Sequence, residues 1–159
     1  MSPSSLLLVT WLVGCTGDGP PVDSAVPPTC SVGVEAGTGV VDFLPLADGG
    51  TLSIVHGPQG GYHLDAAAKL CGLPSEPTSL HVVVTWIEHD LVVADVTYEK
   101  PEVPLDDCCR TATGITAYLF IDDQDARDAL DGQDVRYRLE VTDADDVLHV
   151  DEIRLTLTR

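Results

Sequence analysis

Aromatic and basic residues are the two classes that this sequence has least of. Only 5% of its 159 residues are aromatic, and 8 Lys and Arg face 26 Asp and Glu, which gives a formal net charge of −18. Such a charge repels phosphate backbones and anionic lipid head groups, so it argues against nucleic-acid binding. No apolar run reaches the roughly 20 residues that a membrane-spanning helix needs. The composition therefore favours an acidic domain outside the nucleic-acid-binding and membrane-spanning classes.

The signatures of common catalytic sites are also missing. The sequence contains no Gly-x-Ser-x-Gly, no His-Glu-x-x-His and no phosphate-binding Gly-rich loop. Carboxylates occur throughout the chain, and no pair of them can be placed in a cleft from sequence. We therefore expect no enzymatic activity and no cofactor, and a binding or structural module with a protein or glycan partner.

The first 15 residues have the pattern of an export signal. Residues 6–13 read Leu-Leu-Leu-Val-Thr-Trp-Leu-Val, which is too short to span a bilayer and has the length of a signal-peptide core. Gly14 and Cys15 follow directly, and residues 12–15 resemble the lipobox of bacterial prolipoproteins. The resemblance implies cleavage between Gly14 and Cys15 and attachment of acyl chains, palmitate among them, to Cys15.

This resemblance also implies a location. Two or three acyl chains, at about 0.8 kcal/mol per buried methylene, hold a protein on a lipid bilayer. Residues 15–29 would then be the lipidated Cys15 and a linker that contains Pro-Pro pairs and glycines. Thr16 rather than Asp follows Cys15, which by the enterobacterial sorting rule favours the outer membrane over the inner membrane. The alternatives are an ordinary cleaved signal peptide over residues 1–14, and a buried N-terminal strand.

From Cys30 onward, apolar and polar side chains alternate with a period of two residues. This period, together with the abundance of valine, is typical of strands with one buried face. Residues 62–71 also have helical propensity through three consecutive alanines, and the surrounding strands favour a strand there too. The predicted strands cover residues 30–34, 40–46, 51–56, 62–71, 80–89, 91–98, 115–121, 135–142 and 147–158, with one turn of helix over 124–130.

Strands at this spacing predict an all-β fold over residues 30–159. The expected architecture is an antiparallel two-sheet β-sandwich, immunoglobulin-like in the loose sense. Residues 57–63, Gly-Pro-Gln-Gly-Gly-Tyr-His, resemble a segment of uncharacterised Gram-negative lipoproteins, which implies an envelope location and no particular activity. If the turn over 57–61, a loop predicted over 101–114 and the acidic stretch over 122–134 converge on one end, we expect the binding surface there.

Four cysteines remain once Cys15 is assigned to lipidation. An even number outside the cytoplasm favours disulfides among Cys30, Cys71, Cys108 and Cys109. A bond between the adjacent Cys108 and Cys109 would close a strained ring, so the two pairings that give them separate partners are favoured. Each long-loop bridge would contribute roughly 3–4 kcal/mol. A vicinal redox pair and a metal site are the alternatives.

Two groups of residues are weak candidates for metal binding, and together they support an alternative function as a calcium- or copper-binding accessory protein. His56 and His63 flank the turn over 57–61 and would share a face if they pair with each other, whereas pairing of residue 56 with residue 62 would send them to opposite faces. Asp123 and Asp125 lie in the acidic stretch. An EF-hand loop beginning at Asp123 would need an oxygen ligand where Arg127 lies, so a solvated acidic face is favoured.

Overall fold

The computed structural model describes residues 30–58, 60–101, 103, 105–106, 108–121 and 124–159. The predicted signal peptide with Gly14 and Cys15, the linker, and Asp123 lie outside these residues. The regular secondary structure of the described part is strand apart from one short helix, which confirms the predicted all-β class. Its elements are β1 (Gly33–Thr38), β2 (Leu44–Pro45), β3 (Gly50–His56), β4 (Tyr62–Cys71), β5 (Pro77–Trp86), β6 (Leu91–Glu99), β7 (Leu105–Asp106), β8 (Cys109–Tyr118), α1 (Gln124–Leu130), β9 (Asp134–Asp143) and β10 (Leu148–Thr158).

Hydrogen bonds join these strands into one continuous sheet. Along one path the order is β2-β1-β4-β3-β10-β9-β5-β6. Off this path, β8 pairs with β4, and β7 pairs with β8. β3 makes the sheet continuous because it pairs with β10 over Gly50 to Ser53 and with β4 over Ile54 to His56. The β3–β10 pairing is parallel and the other pairings are antiparallel, so the sheet is mixed. The predicted purely antiparallel arrangement is therefore wrong, and separate stacked sheets are not confirmed.

The sheet curls until β6 approaches β8, which makes a half-barrel. One β-bridge joins Ala94 to Leu119, and the Phe120 amide donates a 2.7 Å hydrogen bond to the Val93 carbonyl. Further along, the Tyr98 hydroxyl accepts a hydrogen bond from the Thr116 amide at 3.0 Å and lies 3.3 Å from its carbonyl oxygen. The Tyr98 side chain therefore satisfies the backbone groups of Thr116, at a point where β6 and β8 form no backbone hydrogen-bond ladder.

The core lies inside the curl and is built from small and aliphatic side chains. In β9, Val135, Tyr137, Leu139 and Val141 are fully buried, as the alternation predicts. Three consecutive alanines of β4 are also fully buried, and a bulge in the β4–β8 pairing occurs at this point. Small side chains let the strands approach closely, so the core fills with few aromatic rings.

Four local predictions have different outcomes. Residues 62–71 form a strand, and α1 coincides with the predicted turn of helix. The loop predicted over 101–114 is wrong in its second half, because β8 begins at Cys109 and its first residues pair with the end of β4. Of the strand predicted over 40–46, only Leu44 and Pro45 are paired, with the end of β1.

Candidate binding cleft

Two disulfides lie together at one end of the half-barrel, which we call the disulfide end. Cys30 is bonded to Cys108 and Cys71 to Cys109. Cys71 and Cys109 are also register partners on β4 and β8, so their bond crosses two adjacent strands. The two adjacent cysteines thus have separate partners, which is one of the two pairings that the sequence favoured. The bond from Cys30 fixes the first described residue to this end.

The ten residues of β8 lead away from the disulfide end. At about 3.3 Å per residue this strand spans about 30 Å. Beyond its last residue, Tyr118, the chain passes β6 and continues into α1. The opposite end is therefore formed by the end of β8, the β5–β6 turn and α1, and we call it the cleft end.

An apolar cleft of about 430 Å³ opens at the cleft end. This volume falls within the range of small-molecule sites, and an apolar lining is usual for them. Leu130 and Val93 close its inner side, while Leu91 is 54% exposed and Phe120 is 62% exposed. The complete lining is Trp86, Leu91, Val92, Val93, Phe120, Ile121, Ala129 and Leu130. The cleft thus leaves large apolar side chains open to solvent in a strongly acidic protein.

Trp86 forms an ordered wall of the cleft. Its indole N–H donates a hydrogen bond to the Gln133 side-chain oxygen at 3.3 Å. The His89 ring lies edge-on to it, with 4.1 Å between ring centroids. These two contacts on separate segments hold the indole ring in place.

Acidic side chains are exposed in the segments that adjoin the cleft residues in sequence. Glu88 and Asp90 are exposed in the turn between Trp86 and Leu91, and Asp125 is exposed on α1. Asp90 lies 3.7 Å from an Arg136 nitrogen, which is a weak, solvent-exposed ion pair. The apolar lining of the cleft can accept a hydrocarbon group.

Two of the three segments expected to mark the binding surface meet at the cleft end. The turn over 57–61 leads into Tyr62, whose ring lies 5.4 Å from the Arg127 guanidinium of α1. Gly60 and Gly61 have φ values of 90° and 80°, a conformation that favours glycine. The segment over 101–114 instead leads into the disulfide end. There, a second cavity of about 480 Å³ is lined by polar side chains such as Thr78, Lys100 and Arg110 together with apolar ones such as Pro101 and Val103.

The two histidines that flank the turn point to opposite faces. Register pairs His56 with Tyr62 and Val55 with His63, which is the alternative that separates the two imidazoles. His56 packs against the Tyr62 ring at 5.1 Å, and His63 lies 3.4 Å from an Asp65 carboxylate oxygen. The geometry therefore gives no support to a metal ion shared by His56 and His63.

The acidic stretch gives no metal cluster in the part that the structure describes. No group of three or more potential ligands is present among the described residues. Asp125 is exposed on α1, whereas Asp128 accepts hydrogen bonds from Arg127 and Arg159. The Arg127 hydrogen bond, followed by the nearby guanidinium charges, lowers the pKa of Asp128. This carboxylate is engaged in ion pairs with basic side chains rather than in a ligand cluster.

A charged network crosses the outer face of β6, β5 and β9, outside the cleft. The two ring nitrogens of His81 lie 2.8 Å from an Asp95 carboxylate oxygen and 3.1 Å from a Glu140 carboxylate oxygen. Burial lowers the pKa of His81, but the hydrogen bonds to Asp95 and Glu140 outweigh it, so the pKa is raised. Arg138 hydrogen-bonds to Glu140 and lowers the pKa of that carboxyl group, with His81 as the second cause.

The β9–β10 turn contains a buried carboxylate. Asp143 is fully buried and accepts hydrogen bonds from the amides of Asp145 and Val147, both at 3.0 Å, and one of its oxygens lies 3.1 Å from a His149 ring nitrogen. The His149 hydrogen bond, followed by the Val147 amide, lowers the pKa of Asp143. The sequence predicted a turn here, and the structure adds that an ionised carboxylate organises it.

Sequence reasoning did not identify the cleft residues. A signal was present, because residues 91–93 and 119–121 lie within longer apolar runs, 91–94 and 117–121. On a strand with one buried face, the middle or the outer members of such a run must face solvent. In the structure these runs leave Leu91, Val92 and Phe120 exposed, and the β-bridge between β6 and the end of β8 brings them together.

The comparisons with known proteins assign neither a family nor an activity to these features. Among the described residues, no helix has the length and apolar character of a membrane span. No protein-family model matches the chain, and no curated protein or solved structure is significantly similar to it.

Proposed function

We propose that this protein is a cell-envelope lipoprotein, anchored through acylated Cys15, whose β domain is a non-catalytic binding module. The observation that supports binding is the apolar cleft at the end of the half-barrel opposite Cys30. The proposed anchor and linker precede Cys30 in the chain, so the cleft would face away from the membrane. The outer membrane remains the favoured location, and the loosely immunoglobulin-like arrangement remains a prediction on which this function does not depend.

The dimensions agree with presentation of the cleft to solvent. The 14 residues over 16–29 reach about 45 Å when extended, at about 3.3 Å per residue. The disulfide from Cys30 to Cys108 would hold the end of the linker at the disulfide end of the domain. The domain adds about 30 Å between that end and the cleft. A ligand in the surrounding water would then reach the cleft without contacting the bilayer.

Exposed apolar side chains are costly in a protein that otherwise covers its surface with charge. Contiguous apolar patches on soluble domains commonly mark binding sites. Leu91, Val92 and Phe120 are 54%, 40% and 62% exposed and line one cleft. Their clustering, rather than their individual exposure, supports a site for an apolar group.

The anchor is tested by labelling with radioactive palmitate in bacteria that express the full chain. We expect the wild type to incorporate label and Cys15→Ala to incorporate none. Cys30→Ala is the control, because it removes a different cysteine and should retain the label. Equal labelling of wild type and Cys15→Ala would contradict the anchor.

The cleft is tested by the fluorescence of Trp86, which is the sole tryptophan of the chain once Trp11 is removed with the signal peptide or replaced by Phe. Titration with 1-octanol should change its emission saturably, because the alkyl chain lies against the indole. Val92→Ser should weaken binding about fivefold, since each lost methyl group removes about 0.8 kcal/mol of apolar contact at most.

The matched control is Val150→Ser. Val150 is 43% exposed against 40% for Val92, and it lies on β10 outside the cleft. We expect its affinity for 1-octanol to equal that of the parent chain. Equal weakening by both substitutions, or no saturable change in the parent, would contradict binding in the cleft.

A further inference from the structure

We propose that the cavity at the disulfide end binds a small organic carboxylate, whose anionic group lies between Lys100 and Arg110. The apolar body of this ligand would lie against the proline and valine side chains of the same cavity. The site is separate from the apolar cleft, and the proposed function does not depend on it. Two basic side chains line one cavity of an acidic protein, and that juxtaposition is the reason for the assignment.

The cavity has a local charge opposite to that of the whole chain. Lys100 directly follows β6 and Arg110 is the second residue of β8, and both line the cavity. Glu76 is the one carboxylate among the described residues of the lining. The chain as a whole has 8 basic and 26 acidic residues, so an excess of basic over acidic groups is unusual on its surface. Concave sites that are lined by charge of one sign concentrate ligands of the other sign.

Arg110 is held in the cavity wall and keeps hydrogen-bond donors for a ligand. Its Nη1 group donates to the Val103 carbonyl at 3.3 Å and to a Glu76 carboxylate oxygen at 3.4 Å, whereas its Nε and Nη2 groups have no acceptor in the described part of the chain. The Glu76 side chain is 79% exposed, so solvent screens this ion pair and a ligand carboxylate can replace it. A guanidinium binds a carboxylate through two parallel hydrogen bonds, which favours this ligand group.

Lys100 supplies a positive charge that the described carboxylates leave unpaired. Its amide donates a 2.7 Å hydrogen bond to the Thr78 carbonyl, which fixes the backbone beside the cavity. The Thr78 hydroxyl in turn hydrogen-bonds to the carbonyls of Thr142 and Asp143. No carboxylate oxygen of the described residues lies within 4 Å of the Lys100 ammonium group, whereas every arginine has such a partner. The Lys100 ammonium group is therefore available to an anion.

The remaining walls favour an organic anion over an inorganic one. Pro77 is buried, Pro101 and Val103 are half-buried, and all three line the cavity. Proline rings fix their own backbone, so these walls are largely preformed. The volume of about 480 Å³ is within the range of small-molecule sites. A single carboxylate on a hydrocarbon body fits the two cations and the apolar walls, whereas a second negative charge would meet the net charge of −18.

The ligand class is tested by titrating the ¹⁵N-labelled full chain with four probes and recording backbone amide shifts. We expect benzoate to shift the amides of Thr78, Lys100 and Arg110 saturably. Benzyl alcohol, which has the ring without the charge, should bind at least fivefold more weakly than benzoate. Acetate, which has the charge without the ring, and inorganic phosphate should also bind at least fivefold more weakly.

The chain has two lysines, and they give a matched pair of variants. Lys100→Gln should weaken benzoate binding about threefold, as expected for loss of a partly screened charge. Lys69→Gln changes the net charge equally, on β4 and outside the cavity lining, and should leave the affinity unchanged. Arg110→Lys keeps the charge and removes the planar pair of donors, so it should weaken binding at least threefold.

A second matched pair predicts the opposite sign. Glu76→Gln removes the carboxylate that competes for Arg110, so benzoate should bind about threefold more tightly. Glu88→Gln makes the same chemical change at an exposed position outside this cavity, and its affinity for benzoate should equal that of the wild type. An increase with both variants would show an effect of overall charge and would overturn the role of Glu76 and Arg110.

The other contrary outcomes are equally specific. Equal affinity for benzoate and benzyl alcohol would overturn the anionic ligand, and phosphate binding as tight as benzoate binding would overturn the organic carboxylate class. Equal weakening by Lys100→Gln and Lys69→Gln would overturn the location. Benzoate shifts confined to Trp86 and Phe120 would place the ring in the apolar cleft and overturn the site. The 1-octanol titration of the cleft is a separate measurement, so this site and the proposed function can fail independently.

Discussion

The disulfide between Cys30 and Cys108 should carry much of the stability of the domain. It closes a loop with a sequence separation of 78, and the bond between Cys71 and Cys109 closes one of 38. In the chain-entropy treatment, these loops correspond to about 4.5 and about 3.9 kcal/mol at 25 °C. Domains of this size have a total free energy of unfolding of about 5–15 kcal/mol, so either bond is a large fraction of it.

The perturbation is the double substitution Cys30→Ala with Cys108→Ala, which removes one bond and leaves the other pair intact. Removing both partners prevents a free thiol from exchanging with the remaining bond. Because the bond between Cys71 and Cys109 remains and shortens the effective loop, urea titration followed by far-ultraviolet circular dichroism should give a free energy of unfolding lower by about 4 kcal/mol. Cys71→Ala with Cys109→Ala is the matched comparison and should cost slightly less.

The disulfide pairing can be measured before the free energy of unfolding. Thiol titration of the denatured, unreduced wild-type domain should find no free thiol among these four cysteines, and peptide mapping should link Cys30 to Cys108. A loss of less than 1 kcal/mol in the Cys30 and Cys108 variant would refute the reasoning from loop length. A mapped bond from Cys30 to Cys71 would refute the structural assignment.

Four further outcomes follow from the core, the charged network and the absence of clustered ligands in the described residues. Tyr137→Phe removes a buried hydroxyl that has no hydrogen-bond partner among the described residues. Urea titration should therefore show a free energy of unfolding higher by about 1–3 kcal/mol, and a decrease would contradict the burial. Leu139→Ala leaves a cavity at a fully buried position and should lower the free energy of unfolding by about 2–5 kcal/mol. Leu148→Ala, at a position that is 54% exposed, should lower it by about 0.5 kcal/mol or less. Equal losses would contradict the burial of Leu139 on the inward face of β9. Because the pKa of His81 is raised above 6.5, its stabilising effect is complete below that pH and is lost as the pH rises through the folded pKa. The melting temperature should therefore fall over this window more steeply in wild type than in His81→Asn, and parallel pH profiles would show that the network does not act this way. Addition of EDTA should leave the melting temperature unchanged, while a drop that Ca²⁺ or Cu²⁺ reverses would restore the metal-binding alternative.

The predictions that the structure confirms depended on local sequence. In β9, the strict alternation of Val135, Tyr137, Leu139 and Val141 sets which face is buried, and a slip of one residue would expose all four. Residues 62–71 form a strand, as predicted, because the alternation of buried positions outweighs the helical propensity of the alanines in this segment. Adjacent cysteines cannot easily bond to each other, so their separate partners also followed from local geometry.

The features that sequence reasoning got wrong, left open or missed depended on contacts between distant segments. The parallel pairing joins β3 to β10, which are separated by most of the domain, and no local pattern distinguishes it from an antiparallel neighbour. The register of His56 depended on the conformation of the glycine turn, which the sequence left open. The cleft brings together Trp86, Phe120 and Leu130 from three segments, so only the curled sheet reveals it.

The location of ligand binding is the most direct test of this account. Backbone chemical shifts of the ¹⁵N-labelled protein, recorded during titration with 1-octanol, report every amide near the bound probe. We predict that the shifted amides cluster at Trp86, Leu91 and Phe120, while those of Cys71 and Arg110 stay in place. Shifts centred on the cavity at the disulfide end, around Thr78 and Arg110, would contradict the account.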